Sequence, residues 1–319
     1  MRNWLNWVRS VHVLCWGGVM MFIRCGRDAK VHTAAQRMRQ LVVDIARSAR
    51  AVHPNFLVIT QNGEELVFED LDTAGGWAQP YFNSLSAVGA EEVTYSGTYH
   101  PRTERLAALR QIRPHKPVFV SEYIANGDWK REVLRRCSNE GFVCFVRMPS
   151  NYYYTSIPDS IPYENTQDIR ELSQVRNYLY LISYDSFSGR SELLDRLRQT
   201  NFDLIIMDAF WQDSLFSAQE IASLRRKANG GNRLVVAYCN IGAAEKWRYY
   251  WQDEWKIGHP KWLKKSYEGY PDEIWVEYWH EDWQRILWKG EDSYLQKIIR
   301  AGFDGAYLDN LEAYYFLYH

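Results

Sequence analysis

The chain has 319 residues, and 46% of them are hydrophobic, which suffices for a large core at a length ordinary for an α/β barrel. Its 38 basic and 39 acidic residues give a formal net charge of −1, without the basic excess that nucleic-acid or acidic-membrane binding favours. The sequence contains no zinc-type Cys/His spacing and no Gly-rich phosphate loop, so we expect neither a metal nor another cofactor. The five Cys are scattered, which favours small buried side chains over a disulfide framework.

The first 30 residues are predicted to be a leader of unknown role. Residues 11–23 form an apolar stretch between Arg9 and Arg24 that is too short to span a bilayer comfortably, so we expect no stable membrane insertion. The stretch is similar to the apolar part of a signal peptide, but no clear small-x-small cleavage site follows it. Residues 31–319 are predicted to form one domain.

From residue 31, short apolar runs alternate with helical patterns, which is typical of βα units and a parallel sheet. A capping box at Thr33 predicts the start of the first helix, and His53-Pro54 predicts its end. A second capping box begins a helix at Ser217, and Gly230-Gly231 predicts its end. Strands are predicted at residues 56–60, 87–95, 118–122, 142–146, 178–184, 204–208, 234–239 and 304–309. Eight strands in this pattern predict the α/β class and a closed (β/α)8 TIM-type barrel.

Polar and acidic residues end several of these strands, and the site of such a barrel lies at the carboxyl ends of its strands. These residues are Gln61, Asn62, Glu91, Glu92, Glu122, Asp208, Asn240 and Asp309. One acidic residue at a strand end can simply cap the next helix, but capping explains the convergence of several poorly. Carboxylates, amides and aromatics without a metal motif suit glycoside hydrolysis. In that reaction one carboxyl group protonates the leaving oxygen and the other attacks or activates water.

Aromatic residues make up 15% of the chain, and eight of the 14 Trp lie between residues 247 and 288. Sugar-stacking rings would explain this richness, and so would a well-filled core, which is the default for any single Trp. The i,i+4 spacing of Trp247, Trp251 and Trp255 favours a packed helix face. The i,i+3 spacing of Glu245 and Arg248 fits an ordinary helical ion pair.

Several blocks resemble the endo-α-1,4-polygalactosaminidase-like glycosidases, whose members have also been labelled exoenzymes or relatives of cysteinyl-tRNA synthetase. VVAYCNIGAAEKWRYYW, at residues 235–251, resembles the family signature YxSIGxAExxRxYW. Further blocks are IIMDAFW (205–211), IWVEYWHEDW (274–283), AGFDGAYLDNLEAY (301–314), NFLVITQNGEEL (55–66) and, less closely, SAVGAEEVTY (86–95). The resemblance implies endo-hydrolysis of an α-linked amino-sugar polymer, such as partly deacetylated polygalactosamine, in an extracellular or periplasmic location.

The resemblance also assigns roles to individual residues. Asp309 matches the catalytic aspartate at the end of the family's fourth strand. Glu91 matches an acidic position in the sixth strand, and Glu92 and Glu65 remain rivals for this second role. The residues expected to hold substrate or to orient the acids are Asp208, Glu245, Arg248, Tyr238, Asn240, Asn62 and Tyr307. Trp211 and Trp279 are the candidate stacking rings.

The order of the blocks differs from the family pattern. In the family, the counterpart of residues 178–314 comes first and that of residues 31–162 follows. This order predicts a circular permutation that is cut just past Asp309, with the old ends joined across residues 162–176. Barrel termini lie close together, so such a permutation is physically tolerable. The alternative is a fragment that spans two tandem copies of the domain.

Two other functions remain open from the sequence. A barrel that binds carbohydrate without turnover would keep the groove but lack hydrolysis. Another glycan-active enzyme, such as a deacetylase, would require a bound metal. The expected partner in each case is a polysaccharide and not a nucleic acid, and the sequence predicts no oligomeric state.

Overall fold

The computed structural model describes the backbone of residues 18–319 and the side chains from Asp28 onward. The first 17 residues of the predicted leader, with part of its apolar stretch, lie outside the described residues. None of the helices in the described part of the chain is long and apolar enough to cross a membrane.

Eight parallel strands form the central sheet. They are β1 (Leu57–Gln61), β2 (Ala87–Tyr99), β3 (Val118–Ile124), β4 (Val143–Arg147), β5 (Tyr178–Leu181), β6 (Leu204–Asp208), β9 (Leu234–Asn240) and β13 (Gly305–Asp309). A short hairpin contains β7 (Phe210–Trp211) and β8 (Ser214–Leu215). A second antiparallel sheet contains β10 (Ala243–Glu245), β11 (Leu263–Tyr267) and β12 (Tyr270–Val276).

The helices lie between these strands in the chain. They are α1 (Gly18–Val52), α2 (Tyr81–Ser84), α3 (Thr103–Ile112), α4 (Lys130–Glu140), α5 (Arg190–Arg198), α6 (Ala218–Leu224), α7 (Glu281–Gln284), α8 (Tyr294–Arg300) and α9 (Ala313–Phe316). Short 3-10 helices span Glu64–Val67, Glu69–Leu71, Gly127–Trp129, Pro149–Asn151 and Leu172–Gln174, and a π-helical turn spans Arg285–Lys289.

The strands follow one another around the barrel in chain order. The sheet order is β4-β3-β2-β1-β13-β9-β6-β5, and every ladder in it is parallel. No ladder joins β4 to β5 in the described sheet, but the rings of Phe145 and Tyr178 lie 5.7 Å apart across this seam. The architecture is a near-closed (β/α)8 TIM-type barrel, and the predicted fold class is confirmed.

The first helix begins earlier than the sequence predicts. α1 is continuous from Gly18 to Val52, so the predicted start at Thr33 is wrong and the predicted domain boundary at residue 30 falls inside a helix. The Thr33 hydroxyl donates a 2.9 Å hydrogen bond to the carbonyl of Ala29, an interaction that Thr can make within a helix instead of capping one. The predicted end before Pro54 is confirmed.

Two further local predictions fail. The capping box at Ser217 is confirmed. The predicted end of this helix at Gly230-Gly231 is wrong: α6 ends at Leu224, because an antiparallel bridge between Arg226 and Asn232 makes residues 226–232 a turn that contains the glycine pair. The predicted helix face with three Trp is wrong, since Trp247, Trp251 and Trp255 lie in turns and irregular segments after β10. The rings of Trp251 and Trp255 instead pack edge to face at 5.4 Å.

The segment that links β4 to β5 is fixed below the barrel by a buried ion pair. The Lys227 ammonium group lies 2.9 Å from the Asp203 carboxylate, and both side chains are fully buried. The Asn165 amide in the link donates to both Asp203 oxygens, at 3.2 and 3.0 Å, and Lys227 donates to the Asn165 carbonyl at 3.1 Å. Breaking a buried pair costs about 3–5 kcal/mol, so this cluster anchors the link firmly.

Cysteine side chains take no part in disulfides within the described residues. Cys137, Cys144 and Cys239 are buried free thiols, as expected from their scattered positions.

Candidate active site

Tyrosine rings and one glutamine fill the barrel lumen just below the carboxyl ends of the strands. Tyr307 on β13 donates a hydrogen bond to the side-chain oxygen of Gln61 on β1, and the Gln61 amide donates to the Tyr180 hydroxyl at 3.2 Å. The Tyr180 ring lies 4.0 Å from the Tyr154 ring, centroid to centroid. A Cβ atom on Gly89 would come within 2.1 Å of the Tyr307 hydroxyl, so the lumen requires glycine there. These side chains form a packed floor for the site.

Asp309 ends β13 at the level of this floor. Its two carboxylate oxygens accept hydrogen bonds from the Tyr238 hydroxyl and from the backbone N–H of Asn310, both at 2.7 Å. Burial, followed by the negative charge of Glu91, raises the pKa of Asp309 to about 7. The carboxyl group is therefore held in a fixed orientation and changes its charge near neutral pH.

Glu91 lies at an irregularity in β2. The ladder with β3 shifts register between Glu91 and Ser96, a feature that re-aims side chains at barrel rims. The backbone N–H of Glu91 donates to the side chain of Asn62 at 3.0 Å. The Tyr154 hydroxyl donates to Glu91 Oε1, and the Arg147 guanidinium group lies 4.0 Å from the same oxygen. The side chain is still 25% exposed, so a substrate can reach it.

The two rival glutamates have other partners. Glu92 adopts a positive φ of 51° and accepts hydrogen bonds from Arg147, at 2.7 Å, and from the Ser96 hydroxyl. Glu65 accepts a hydrogen bond from the Tyr314 hydroxyl, and burial raises its pKa. These contacts support Glu91 as the second carboxylate, and the assignment stays a prediction.

Asp208, Glu245 and Arg248 form one buried ionic unit. The Arg248 guanidinium group lies 2.6 Å from an Asp208 oxygen and donates to both oxygens of Glu245, and all three side chains are at most 8% exposed. Glu245 ends β10 and Arg248 follows in a turn, so the expected helical pair is wrong. Burial raises the pKa of Asp208 against the opposing effect of Arg248. The burial favours an orienting role over direct substrate contact.

Asn240 and Asn310 hold a carboxyl group that sequence reasoning missed. Their side-chain amides donate to the same oxygen of Glu273, at 3.1 and 3.4 Å. Burial, followed by the charges of Glu245 and Asp309, raises the pKa of Glu273 to about 8. Glu273 lies on β12, in an insertion outside the barrel, so it does not end a barrel strand. The sequence feature that could have indicated Glu273 is its position directly before the family-like block at residues 274–283.

The predicted stacking tryptophans are already covered on one face. The Trp211 ring is parallel to the Tyr184 ring, at a centroid distance of 5.7 Å. The guanidinium group of Arg37 on α1 lies 4.4 Å from the Trp279 ring. Trp279 therefore packs against α1, whereas Trp211 lies on the β7–β8 hairpin just beyond the end of β6.

Arg147 and Tyr154 also lie at the site, and no strong sequence pattern marks either residue. Arg147 ends β4, a strand whose other residues are apolar apart from Cys144, and Tyr154 follows it in an irregular loop. Within the described residues, no group of three or more His, Cys, Asp or Glu could hold a metal ion.

Residues 191–317 match the model of glycoside-hydrolase family GH114. The matched segment contains β6, β9 and β13 and therefore Asp208, Tyr238 and Asp309, whereas Glu91 lies outside it. The match supports glycoside hydrolase activity for a site built around these strands.

Similar proteins include three that are described only as uncharacterized. A protein of Methanocaldococcus jannaschii is 31% identical over 47% of this chain and 41% of its own length. A protein of Deinococcus radiodurans is 36% identical over 38% of this chain and 37% of its own length. A protein of Thermotoga maritima is 39% identical over 25% of this chain and 23% of its own length. The matched segments thus span less than half of each of these relatives.

The titration of Asp309 tests the geometry of the site directly. In carbon-13 NMR spectra the Asp309 carboxyl should titrate near pH 7, well above the value of about 3.9 for free aspartate. Tyr238→Phe removes a hydrogen bond that stabilises the anion and should raise the pKa further.

Tyr184→Phe is the matched control, because the Tyr184 hydroxyl donates to the Asp208 carbonyl and not to Asp309. This variant should leave the titration in place. A wild-type Asp309 that titrates near pH 4 would contradict the described environment.

Proposed function

We propose that the protein is an endo-acting glycoside hydrolase that cleaves an α-linked amino-sugar polysaccharide with Asp309 and Glu91. The observation that carries the proposal is the pair itself. Asp309 at the end of β13 and Glu91 on β2 are each fixed by a hydrogen bond from a tyrosine hydroxyl, and the charge of Glu91 raises the pKa of Asp309. Glycoside hydrolysis requires two carboxyl groups that flank the scissile bond, and the carboxyl ends of barrel strands are where such a barrel places its site.

The hydrogen bonds suggest different roles for the two groups. Both oxygens of Asp309 accept hydrogen bonds, an arrangement that favours the anion and suits the group that attacks the sugar or activates water. Glu91 accepts one side-chain hydrogen bond, at Oε1, and its Oε2 has none from the described residues. Oε2 can therefore carry the proton that Glu91 delivers to the leaving oxygen.

The charges around the pair suit a cationic substrate. In the described part of the chain, three cations lie near the pair, and each is engaged by a carboxylate: Arg248 by Asp208 and Glu245, Arg147 by Glu92, and Arg105 by Glu64. Asp309 and Glu273 have no cationic partner within the described residues, and both are partly exposed. An amino-sugar polymer would supply the missing positive charge, and an extracellular or periplasmic location would give access to it.

Product release from partly deacetylated polygalactosamine tests this function. The wild type should release short oligosaccharides, and Asp309→Asn and Glu91→Gln should each reduce the rate by about 10²–10⁴-fold, the usual loss when a catalytic acid or base is removed. Asp195→Asn makes the same chemical change on an exposed helix, where Asp195 pairs with Arg198, and should retain the wild-type rate.

Binding separates the alternatives if no product forms. Folded wild type that binds the polymer without cleaving it would indicate a binding barrel. Folded wild type that neither binds nor cleaves it would exclude this polymer as the ligand.

We also propose that the chain is a circularly permuted member of this architecture. The seam of the sheet lies between β4 and β5, where the permutation would have joined the old ends. The β13–β1 ladder is intact, and α1 packs beside α8 and α9, in the place of a helix that would connect β13 to β1. In the circular order of the elements, the cut made by the permutation would then fall between α9 and α1.

Restoring the inferred order tests the permutation. A variant that joins residue 319 to residue 28 through a Gly/Ser linker, with new ends between the exposed Tyr163 and Glu164, should fold and keep the wild-type activity. Two linker lengths guard against a strained connection. If neither variant shows a cooperative unfolding transition in a urea titration monitored by circular dichroism, the proposal is contradicted.

A further inference from the structure

Two tyrosines at the mouth of the barrel have no part in the reaction described above. Tyr152 follows β4, and Tyr270 begins β12 in the insertion between β9 and β13. In the sheet order β4 and β9 are separated by other strands in both directions, so the two side chains come from different walls of the barrel. Tyr152 is half-buried and Tyr270 is 38% exposed. Part of each ring is therefore accessible at the mouth.

Tyr152 is fixed beside Glu91. The Arg147 guanidinium group lies 4.6 Å from the Tyr152 ring centroid, 4.0 Å from Glu91 Oε1, and donates to the Tyr152 carbonyl. The Tyr123 ring meets the Tyr152 ring edge to face at 4.9 Å. These contacts hold the ring in one orientation at the rim.

Tyr270 is fixed on the side of Asp309. Its ring packs at 5.0 Å against Tyr267, which stacks on Trp275 at 4.1 Å. The Tyr267 hydroxyl donates to the side-chain oxygen of Asn310 at 3.2 Å, and Asn310 directly follows Asp309. The insertion therefore presents Tyr270 from a rigid aromatic base that is tied to the catalytic strand.

The two rings lie close to Glu91 without touching one another. Burial, then Tyr152 and then Glu91 raise the pKa of Tyr270, and the charge of Glu91 also contributes to the raised pKa of Tyr152. No ring contact joins Tyr152 to Tyr270 among the aromatic pairs of the described residues. The two rings therefore flank the catalytic pair from different walls, Tyr152 on the side of Glu91 and Tyr270 on the side of Asp309.

We propose that Tyr152 and Tyr270 form an aromatic clamp for the sugar unit on the leaving-group side of the scissile bond. This inference rests on the proposed function, in which the sugar nearest Glu91 is the leaving group. Aromatic faces bury the apolar faces of sugar rings, and they also attract a nearby cation. An amino sugar offers both features, so the clamp selects amino-sugar units next to the cleavage point.

A pair of substrates isolates the clamp from the catalytic pair. Tyr152→Ala and Tyr270→Ala should each lower kcat/KM on partly deacetylated polygalactosamine about tenfold, the usual scale for one lost aromatic contact. Activity on α-galactosaminyl fluoride, which has no sugar on the leaving-group side, should change by less than about twofold. Tyr152→Phe and Tyr270→Phe keep the rings and should stay close to wild type on both substrates.

Tyr163→Ala is the matched control, because Tyr163 is 55% exposed and lies in the anchored link below the barrel. It should leave both activities unchanged. Equal losses on polymer and fluoride would indicate a structural role for the tyrosines, and unchanged activity on polymer would exclude contact with the sugar. Either result overturns the clamp.

The test also separates failure of the clamp from failure of the proposed function. If the wild type cleaves neither substrate, the proposed function fails, and binding of the polymer then decides the clamp. The two Ala variants must weaken that binding about tenfold relative to Tyr163→Ala, and equal binding by all three variants would overturn the clamp.

Discussion

The parallel ladder between β13 and β1 is the contact on which the site depends. It pairs Leu57 with Gly305 and continues to Thr60 opposite Leu308, which joins the last barrel strand of the chain to the first. A Cβ atom on Gly305 would lie 2.3 Å from the Leu57 carbonyl oxygen, so the ladder requires glycine at this point. Without this ladder, Asp309 and Glu91 would lie on separate halves of the molecule.

Burial and like charge then give the site its chemistry. Tyrosine rings pack below Asp309, and the charge of Glu91 raises the pKa of Asp309 further, so the two carboxyl groups favour sharing one proton over being ionised together. The hydrogen bonds from Tyr238 and Asn310 oppose this shift but leave the pKa near neutrality. The deeper acids are different, because the Arg248 guanidinium group pairs with both Asp208 and Glu245. The partly exposed acids thus remain responsive to substrate, while the buried ones hold the scaffold.

The sequence predicted those features that depend on local pattern and strand periodicity. Apolar runs located all eight barrel strands, and their polar ends identified Asp309, Asn62 and Asn240 as residues at the mouth. Local pattern predicted the wrong structure where the same residue type or spacing occurs in two kinds of local structure. Thr33 resembles a helix cap but lies inside α1. The spacing of Trp247, Trp251 and Trp255 is typical of a helix but occurs in turns and irregular segments.

Other parts of the site required the three-dimensional structure. Glu273 reaches the mouth only because β12 pairs with β10 beside the end of β9. Tyr154 reaches Glu91 from an irregular loop whose path no periodicity predicts. Tyr270 gains its position from packing on Tyr267 and Trp275, which a sequence pattern cannot distinguish from ordinary core contacts.

A crystal structure of the Asp309→Asn variant with a bound amino-sugar oligosaccharide would test the central claim most directly. The account predicts that one glycosidic oxygen lies about 2.6–3.2 Å from Glu91, within hydrogen-bond reach, while the neighbouring anomeric carbon faces residue 309. An oligosaccharide bound across the mouth with Glu91 distant from every glycosidic oxygen, or bound elsewhere on the barrel, would contradict it.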